Sequence, residues 1–338
     1  SWFPQEKLAV RGLVEVVRHL RELLAIRRQL VRRILAEKPP LYVGVDAPDF
    51  NLGVERRLKR AGVTTAHFVS PTVWAWRSGR IRGIRRAVSH MLVLFPFEEP
   101  IYREAGIPVT YTGHPLADEI PESVNKVELR EQLRVAGPSP VIALLPGSRQ
   151  SEIDHMAPVF IAAARLVLEE LPDARFLVPL VTRESRDRFE AAVWKAEAQD
   201  LPLALLFGHA QDAIGACDLA LATSGTVTLE AALLRRPMVI SYRVSPLTAA
   251  ILRRVVRIPY AGLPNILTGD WIVPEFMQEQ ATAENLAQAV VNLFRDKVVC
   301  ERLDARFAAI HATLRRDAAV QAARALMPYL GAAPVGPA

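Results

Sequence analysis

Apolar positions follow two rhythms along this chain. Over residues 8–37, Leu13, Val17, Leu20, Leu24 and Leu35 keep near-helical spacing, and Arg18, Arg21, Arg28 and Arg32 fill polar positions. That spacing predicts a long amphipathic helix, ended by Lys38-Pro39-Pro40. Short apolar runs then alternate with amphipathic stretches. Strands are expected at Leu41–Val45, Thr64–Val69, Met91–Phe95 and Val109–Thr112, with helices at Leu52–Arg60, 77–87 and Glu98–Ala105.

A second alternating series places strands near 141–145, 175–180, 203–206, 219–222 and 238–242, then helices at 283–295 and 298–328. Strands alternating with helices imply parallel sheets covered on both faces. The stretch between the two series carries Pro121, Gly137, Pro138 and Pro140 and reads as a linker. The expected organisation is an α/β chain of two doubly wound parallel-sheet domains: 1–120, a linker at 121–139, 140–310, and a C-terminal helix at 311–330 that packs back on the first domain or across a dimer. A ligand cleft is expected between the domains, at the carboxyl ends of the strands.

The 338 residues are 51% hydrophobic, enough for two cores and against disorder. No apolar run reaches the ~20 residues of a membrane span. Cys217 and Cys300 lack metal-ligand spacing and fit a reducing compartment. The net charge of +6 is concentrated: residues 1–40 hold nine Lys/Arg against four Asp/Glu. A second cluster, Arg77, Arg80, Arg82, Arg85 and Arg86, contains no acid. Such patches attract anionic lipid, phosphorylated substrates or nucleic acid. No nucleic-acid module is visible and the aromatics are not interleaved as stacking platforms, so nucleic acid is not expected as a partner.

Two Gly-containing loops follow apolar runs: Pro146-Gly147-Ser148-Arg149 and Thr223-Ser224-Gly225-Thr226. Backbone N–H groups at a helix start are unsatisfied and attract phosphate. Arg149 and the hydroxyls of Ser148, Ser224 and Thr226 add donors, and Glu230, one turn beyond Thr226, can accept from two sugar hydroxyls. Together they point to a nucleotide diphosphate, although ordinary βα turns would read the same way. In the first helix, Val17, Leu20 and Leu24 lie on a broad apolar face rimmed by Arg21 and Arg28. That is the pattern of an interfacial helix on anionic lipid, or of a core helix packed on a sheet.

Seven motifs in order resemble the lipid-A-disaccharide synthases, bacterial glycosyltransferases of GT-B architecture. They are Gly44-Val-Asp-Ala-Pro-Asp-Phe-Asn51, Val69-Ser-Pro-Thr-Val-Trp-Ala-Trp-Arg77, Phe95-Pro-Phe-Glu98, Gly113-His-Pro-Leu-Ala-Asp118, Leu144-Leu-Pro-Gly-Ser-Arg149, Ser224-Gly-Thr-Val-Thr-Leu-Glu230 and Leu263-Pro-Asn-Ile-Leu267. The resemblance runs from about residue 8 to 328. It implies transfer of 2,3-diacylglucosamine from UDP to lipid X (2,3-diacylglucosamine 1-phosphate), with inversion, in lipopolysaccharide synthesis of Gram-negative bacteria. It also implies action at the cytoplasmic face of the inner membrane, no metal and no cofactor (the UDP-sugar being a substrate), and a homodimer. The family's opening strand and Gly-Glu-x-Ser-Gly-Asp loop are not found before Ser1, so an incomplete N-terminal domain is expected. Competing expectations are a UDP-hexosamine transferase or epimerase with a soluble substrate, and a truncated form that binds UDP without turnover.

Asp46 ends the first strand, where a side chain reaches the cleft, and the family's catalytic Asp aligns with it; it is the candidate base. Asp49 competes for that role, and Asp46 could instead cap the next helix. Arg149 is the candidate for the leaving diphosphate, with Gly147, Ser148, Ser224, Gly225 and Thr226 beside it and Glu230 on the ribose. Asn265, in the Leu-Pro-Asn loop, is a candidate substrate contact, although loop-turn chemistry alone would also explain it. His114 either assists acceptor phosphate binding or braces its loop. Trp74 and Trp76 line an acyl groove or belong to the core.

Overall fold

The computed structural model describes residues 13–74, 78–255 and 258–331. Trp76, the part of the expected helix before Leu13 and the side chains of Val17, Leu20 and Arg21 lie outside the described set. The chain divides into two compact units, Ser1–Pro115 with Arg316–Ala338, and Leu116–Arg315.

The first unit runs α1 (Leu13–Glu37), β1 (Leu41–Val45), α2 (Pro48–Arg60), β2 (Thr64–Phe68), α3 (Ile81–Arg85), β3 (His90–Val93), α4 (Glu98–Glu104) and β4 (Val109–Tyr111). Its strands form a parallel sheet in the order β1-β2-β3-β4. Val31 and Ile34 of α1 pack on Val54 and Leu58 of α2, while Ile84, Met91, Val93 and Tyr102 build a second apolar cluster. Each such buried aliphatic side chain contributes roughly 1.5–3 kcal/mol. Helix α2 starts at Pro48, earlier than the expected Leu52. Proline suits the first helical turn, where its missing N–H is not needed.

The second unit runs α5 (Pro115–Glu119), α6 (Lys126–Gln132), β5 (Val141–Leu145), α7 (Gln150–Glu170), β6 (Arg175–Leu180), α8 (Arg183–Lys195), β7 (Leu203–Phe207), α9 (Ala210–Ala216), β8 (Leu219–Thr223), α10 (Thr226–Leu233), β9 (Met238–Tyr242), α11 (Pro246–Val255), α12 (Leu263–Thr268), β10 (Glu275–Met277), α13 (Ala283–Arg295) and α14 (Lys297–Leu314). Its parallel sheet has the order β10-β9-β8-β5-β6-β7. The chain moves outward from β5 through β6 to β7, then returns to the other side of β5 at β8. The winding direction therefore reverses between β5 and β8, both buried along their whole length.

Residues 121–139, expected from sequence to link the two series and to carry a short helix, contain α6. Arg130 and Lys126 of that helix both pair with Asp218, so the segment is tied into the second unit. The single helix expected over 298–328 is two. Asp317 adopts a left-handed conformation between α14 and α15 (Ala318–Leu330). Leu303, Phe307, Ile310 and Leu314 of α14 are buried in the second unit. Helix α15 belongs to the first, where the Tyr329 hydroxyl lies 3.0 Å from His90 Nδ1. A periodic pattern cannot show that the chain changes units within it. Strand β10 was not expected, because its three residues form no apolar run.

Candidate functional site

In the first unit the motif loops follow β1, β2, β3 and β4 and therefore lie at one edge of the parallel sheet. Asp46 donates its N–H to Phe68 O, and both Asp46 and Ala47 adopt left-handed backbone conformations. Asn51 holds this turn: its Nδ2 donates to Val45 O (3.1 Å) and Asp46 O (2.8 Å). The Asp46 side chain does not cap α2, whose N-cap is Ala47 with no side-chain cap bond. It is exposed and has no partner among the described residues. Asp49, in the first turn of α2, pairs with Arg80. The two carboxylates thus differ: Asp46 is free to accept a proton at solvent, and Asp49 is held by a guanidinium.

Behind these loops sits a buried polar set. Glu98 accepts from Phe95 N–H (3.1 Å), and burial pushes its carboxyl up to about 7, tempered by that hydrogen bond. Ser70 Oγ lies 2.7 Å from the buried Tyr102 hydroxyl. Above this set the half-buried Trp74 meets Phe97 edge-on at 5.1 Å, Phe97 stacks on Phe95, and His114 tilts against Phe95 at 5.5 Å. His114 is buried, which favours bracing of its loop. Trp74, Phe95 and Phe97 keep part of their surface exposed.

In the second unit the two Gly-containing loops flank the reversal between β5 and β8. Open parallel sheets bind ligands at that point, outside the carboxyl ends of the strands. Thr223 Oγ1 donates to Leu145 O (3.2 Å) and joins the two strand ends. Gly225 is exposed with open space where a Cβ would stand, and Thr226 begins α10. Ser224 Oγ donates to Ala261 O (2.7 Å), which commits the proton of that hydroxyl. Glu230 is half-buried, its carboxyl is raised by burial, and it has no partner among the described residues. A carboxylate left unpaired in a partly dry place is poised to accept from a ligand.

Two expectations change. The backbone N–H groups of Ser148 and Arg149 were expected to face a phosphate; both donate to Glu152 Oε2, at 3.1 and 3.2 Å. Glu152 reaches back from the first turn of α7, as in a capping box, and Gly147, at φ 116, leaves room for it. What that loop offers a ligand is the exposed Ser148 hydroxyl and the Arg149 guanidinium, itself 2.5 Å from Glu152 Oε1. Asn265, expected to touch substrate, is fully buried and fully used. Its Nδ2 donates to Val273 O and Glu275 Oε1, and its Oδ1 accepts from Ile272 and Val273 N–H. It holds the approach to β10.

Glu275, which the sequence reading missed, also accepts from Ala261 and Gly262 N–H at 2.7 and 2.8 Å. No sequence signal marks it, since its partners lie ten or more residues away. Glu152 did carry a signal: a carboxylate at the third position of a helix that follows a turn. Cys217 is fully buried and its thiol is pushed up to about 11 by burial, so it is inert. On α1, Leu24 is half-buried and Arg28 exposed. No described helix is long and apolar enough to cross a membrane.

The model of the family described as Lipid-A-disaccharide synthetase matches residues 1–325. The chain is 52% identical over 327 residues to the lipid-A-disaccharide synthase of Chromobacterium violaceum, spanning 97% of this chain and 85% of that protein. It is 48% identical over 333 residues to that of Neisseria meningitidis serogroup B, spanning 98% and 86%. Among solved structures it is similar to the UDP-GlcNAc 2-epimerase of Neisseria meningitidis bound to UDP-GlcNAc, with a TM-score of 0.59 at 12% identity over 97% of this chain and 83% of that one. A trehalose-6-phosphate synthase gives a TM-score of 0.59 at 13% identity over 96% and 79%. At such identities the likeness is one of fold, two parallel-sheet α/β domains of the GT-B kind.

Proposed function

This chain belongs to the lipid-A-disaccharide synthase family and is a glycosyltransferase of lipid A biosynthesis; we propose that it moves 2,3-diacylglucosamine from UDP to the 6-hydroxyl of lipid X. The observation that carries the donor side is the pair of loops at the β5/β8 reversal with the unpaired Glu230 beside them. On this reading Arg149, Ser148, Thr226 and the Gly225 backbone take the diphosphate, and Glu230 takes the ribose hydroxyls. Ser224 donates elsewhere and contributes its position and lone pairs.

The chemistry is one in-line displacement. Asp46 removes the proton of the acceptor hydroxyl as its oxygen forms a bond to the anomeric carbon. The bond from that carbon to the UDP phosphate oxygen breaks, and the charge left on UDP is met by Arg149 and the donors at the start of α10. A single displacement inverts the anomeric centre and gives the β-linked disaccharide 1-phosphate and UDP. The free Asp46 and the engaged Asp49 support Asp46 as the base. The open aromatic surface of Trp74, Phe95 and Phe97 would take acyl chain. Helix α1, with its apolar face and basic rim, would hold the enzyme on the cytoplasmic face of the inner membrane.

Product formation from UDP-2,3-diacylglucosamine and lipid X in detergent micelles tests this, with Asp46→Ala and Asp49→Ala alongside. Disaccharide from the native chain, lost roughly 100-fold or more in Asp46→Ala, is expected for a general base. UDP binding with no disaccharide from the native chain would overturn it. Conversion of a UDP-hexosamine without any acceptor would favour an epimerase.

A further inference from the structure

A second concentration of like charge in the first unit lies along α2. Helix α2 turns one face, Asp49, Gly53, Arg56, Arg57 and Arg60, towards a cavity of about 530 Å³. Arg27 reaches it from α1, and Arg80, with Gly79 and Gly83, closes it from the α3 side. Five guanidinium groups and one carboxylate therefore line a single space, and that carboxylate is paired with Arg80.

Three features separate this cavity from an ordinary solvated basic face. The guanidinium groups of Arg56, Arg57 and Arg60 have no hydrogen-bond or ion-pair partner among the described residues, although arginines three and four apart on a helix repel. Arg27 Nε is buried without a partner among the described residues. Burial and the neighbouring Arg57 and Arg28 lower the pKa of Arg27, so its charge is held against its surroundings. Gly53 sits inside α2, where glycine is roughly 0.5–1 kcal/mol less favourable than alanine. A Cβ there would overlap the Arg27 guanidinium. The helix thus gives up propensity at the point where the fifth cation enters.

We propose that this cavity binds a terminal phosphate group, a phosphomonoester dianion. Its three free oxygens can each accept from a separate guanidinium, which a diester's two cannot match, and forked N–H donors suit phosphate. The volume, within the ~300–1,000 Å³ of small-molecule sites, leaves space for what the phosphate is attached to. This goes beyond the transfer reaction, since none of the five arginines has a role in it. The phosphate could come from a free metabolite or from a lipid headgroup.

Isothermal titration of the full chain with inorganic phosphate, and flotation with phosphatidylcholine vesicles containing either phosphatidate or phosphatidylglycerol, test the proposal. The variants are Arg57→Gln/Arg60→Gln and Gly53→Ala, with thermal melts to confirm folding. Gly53→Ala removes no charge; it only displaces the flexible end of Arg27. At least tenfold weaker phosphate binding is expected in the double variant, and several-fold weaker in Gly53→Ala. Loss of flotation with phosphatidate in the variants identifies a lipid-borne phosphate; weakened phosphate binding with unchanged flotation identifies a free one. Folded variants that bind phosphate and phosphatidate as the native chain does would overturn the site, as would a native chain that binds neither. Since α1 is also expected to bind anionic vesicles, the readout is the loss caused by the variants: an equal loss of flotation with phosphatidylglycerol would overturn the monoester assignment.

Discussion

Glu55 Oε1 lies 2.7 Å from His67 Nδ1, and both side chains are wholly buried where α2 crosses β2. The contact sits one strand from the candidate base, since His67 is the register partner of Gly44 on β1. Burial raises the Glu55 carboxyl, and the hydrogen bond from His67 opposes that rise. Glu55 Oε2 and His67 Nε2 have no partner among the described residues. Removing one member leaves the other buried and unsatisfied, so His67→Leu should destabilise by about 3–5 kcal/mol. Glu55→Leu/His67→Leu should recover at least about 1 kcal/mol of that loss. Denaturant unfolding of the two single variants and the double one measures the coupling; additive losses would refute it.

Gly44 makes the pair possible. A Cβ at this position would overlap Glu55 Oε1 and touch Asn51, which holds the Asp46 turn. Gly44→Ala is expected to destabilise by about 1–3 kcal/mol and to lower kcat through the displaced Asp46. A melt and a kcat measurement on the same preparation check both; native values for both would show that the strand end yields freely.

Glu98 ties stability to pH. Its carboxyl, ordinarily near 4.5, is raised to about 7 by burial, so the fold favours the protonated form. A raised acid contributes fully below its unfolded value and loses that contribution as pH rises through the folded one. Relative to Glu98→Gln, the native chain should lose about 3 kcal/mol of stability between roughly pH 4 and pH 8. Urea midpoints of both proteins across that range decide it, and parallel curves would count against the buried carboxyl.

Glu230 and Asn265 should separate binding from architecture. Glu230→Gln should weaken UDP binding roughly 10–100-fold at unchanged or slightly higher melting temperature, because no protein partner is lost. Asn265→Ala should instead destabilise by roughly 2–4 kcal/mol, with any loss of UDP affinity following from that. Calorimetric UDP titration and melts of both variants test the contrast; a destabilised Glu230→Gln would assign that residue to the fold.

On the membrane reading, Leu20→Glu/Leu24→Glu should release the protein from anionic vesicles while leaving its melting temperature within a few degrees. Retained vesicle binding by the folded double variant would remove α1 as the contact.

The strands, the loops at their carboxyl ends and the family were legible in the sequence because those signals are local. An apolar run such as Val141–Leu145 declares a buried strand, and a Gly turn after it declares a helix start. The candidate base was local too, as the residue that ends β1. Other features depended on residues far apart in the chain. Asn265 reads as a loop polar residue until the approach to β10 folds over it and takes all four of its hydrogen bonds. The pattern over 298–328 is continuous, and only the assignment of its two halves to different units breaks it. Arginines near 27, 57 and 80 are unremarkable charges in three separate helical stretches; packing of α1, α2 and α3 brings them to one cavity. Apart from β10 and the break at Asp317, strand, helix and turn were readable locally, because backbone preference and apolar period act over a few residues. The tertiary structure decided which polar groups are spent inside the fold and which are left for a ligand, because a buried donor or charge takes whatever partner packing brings to it.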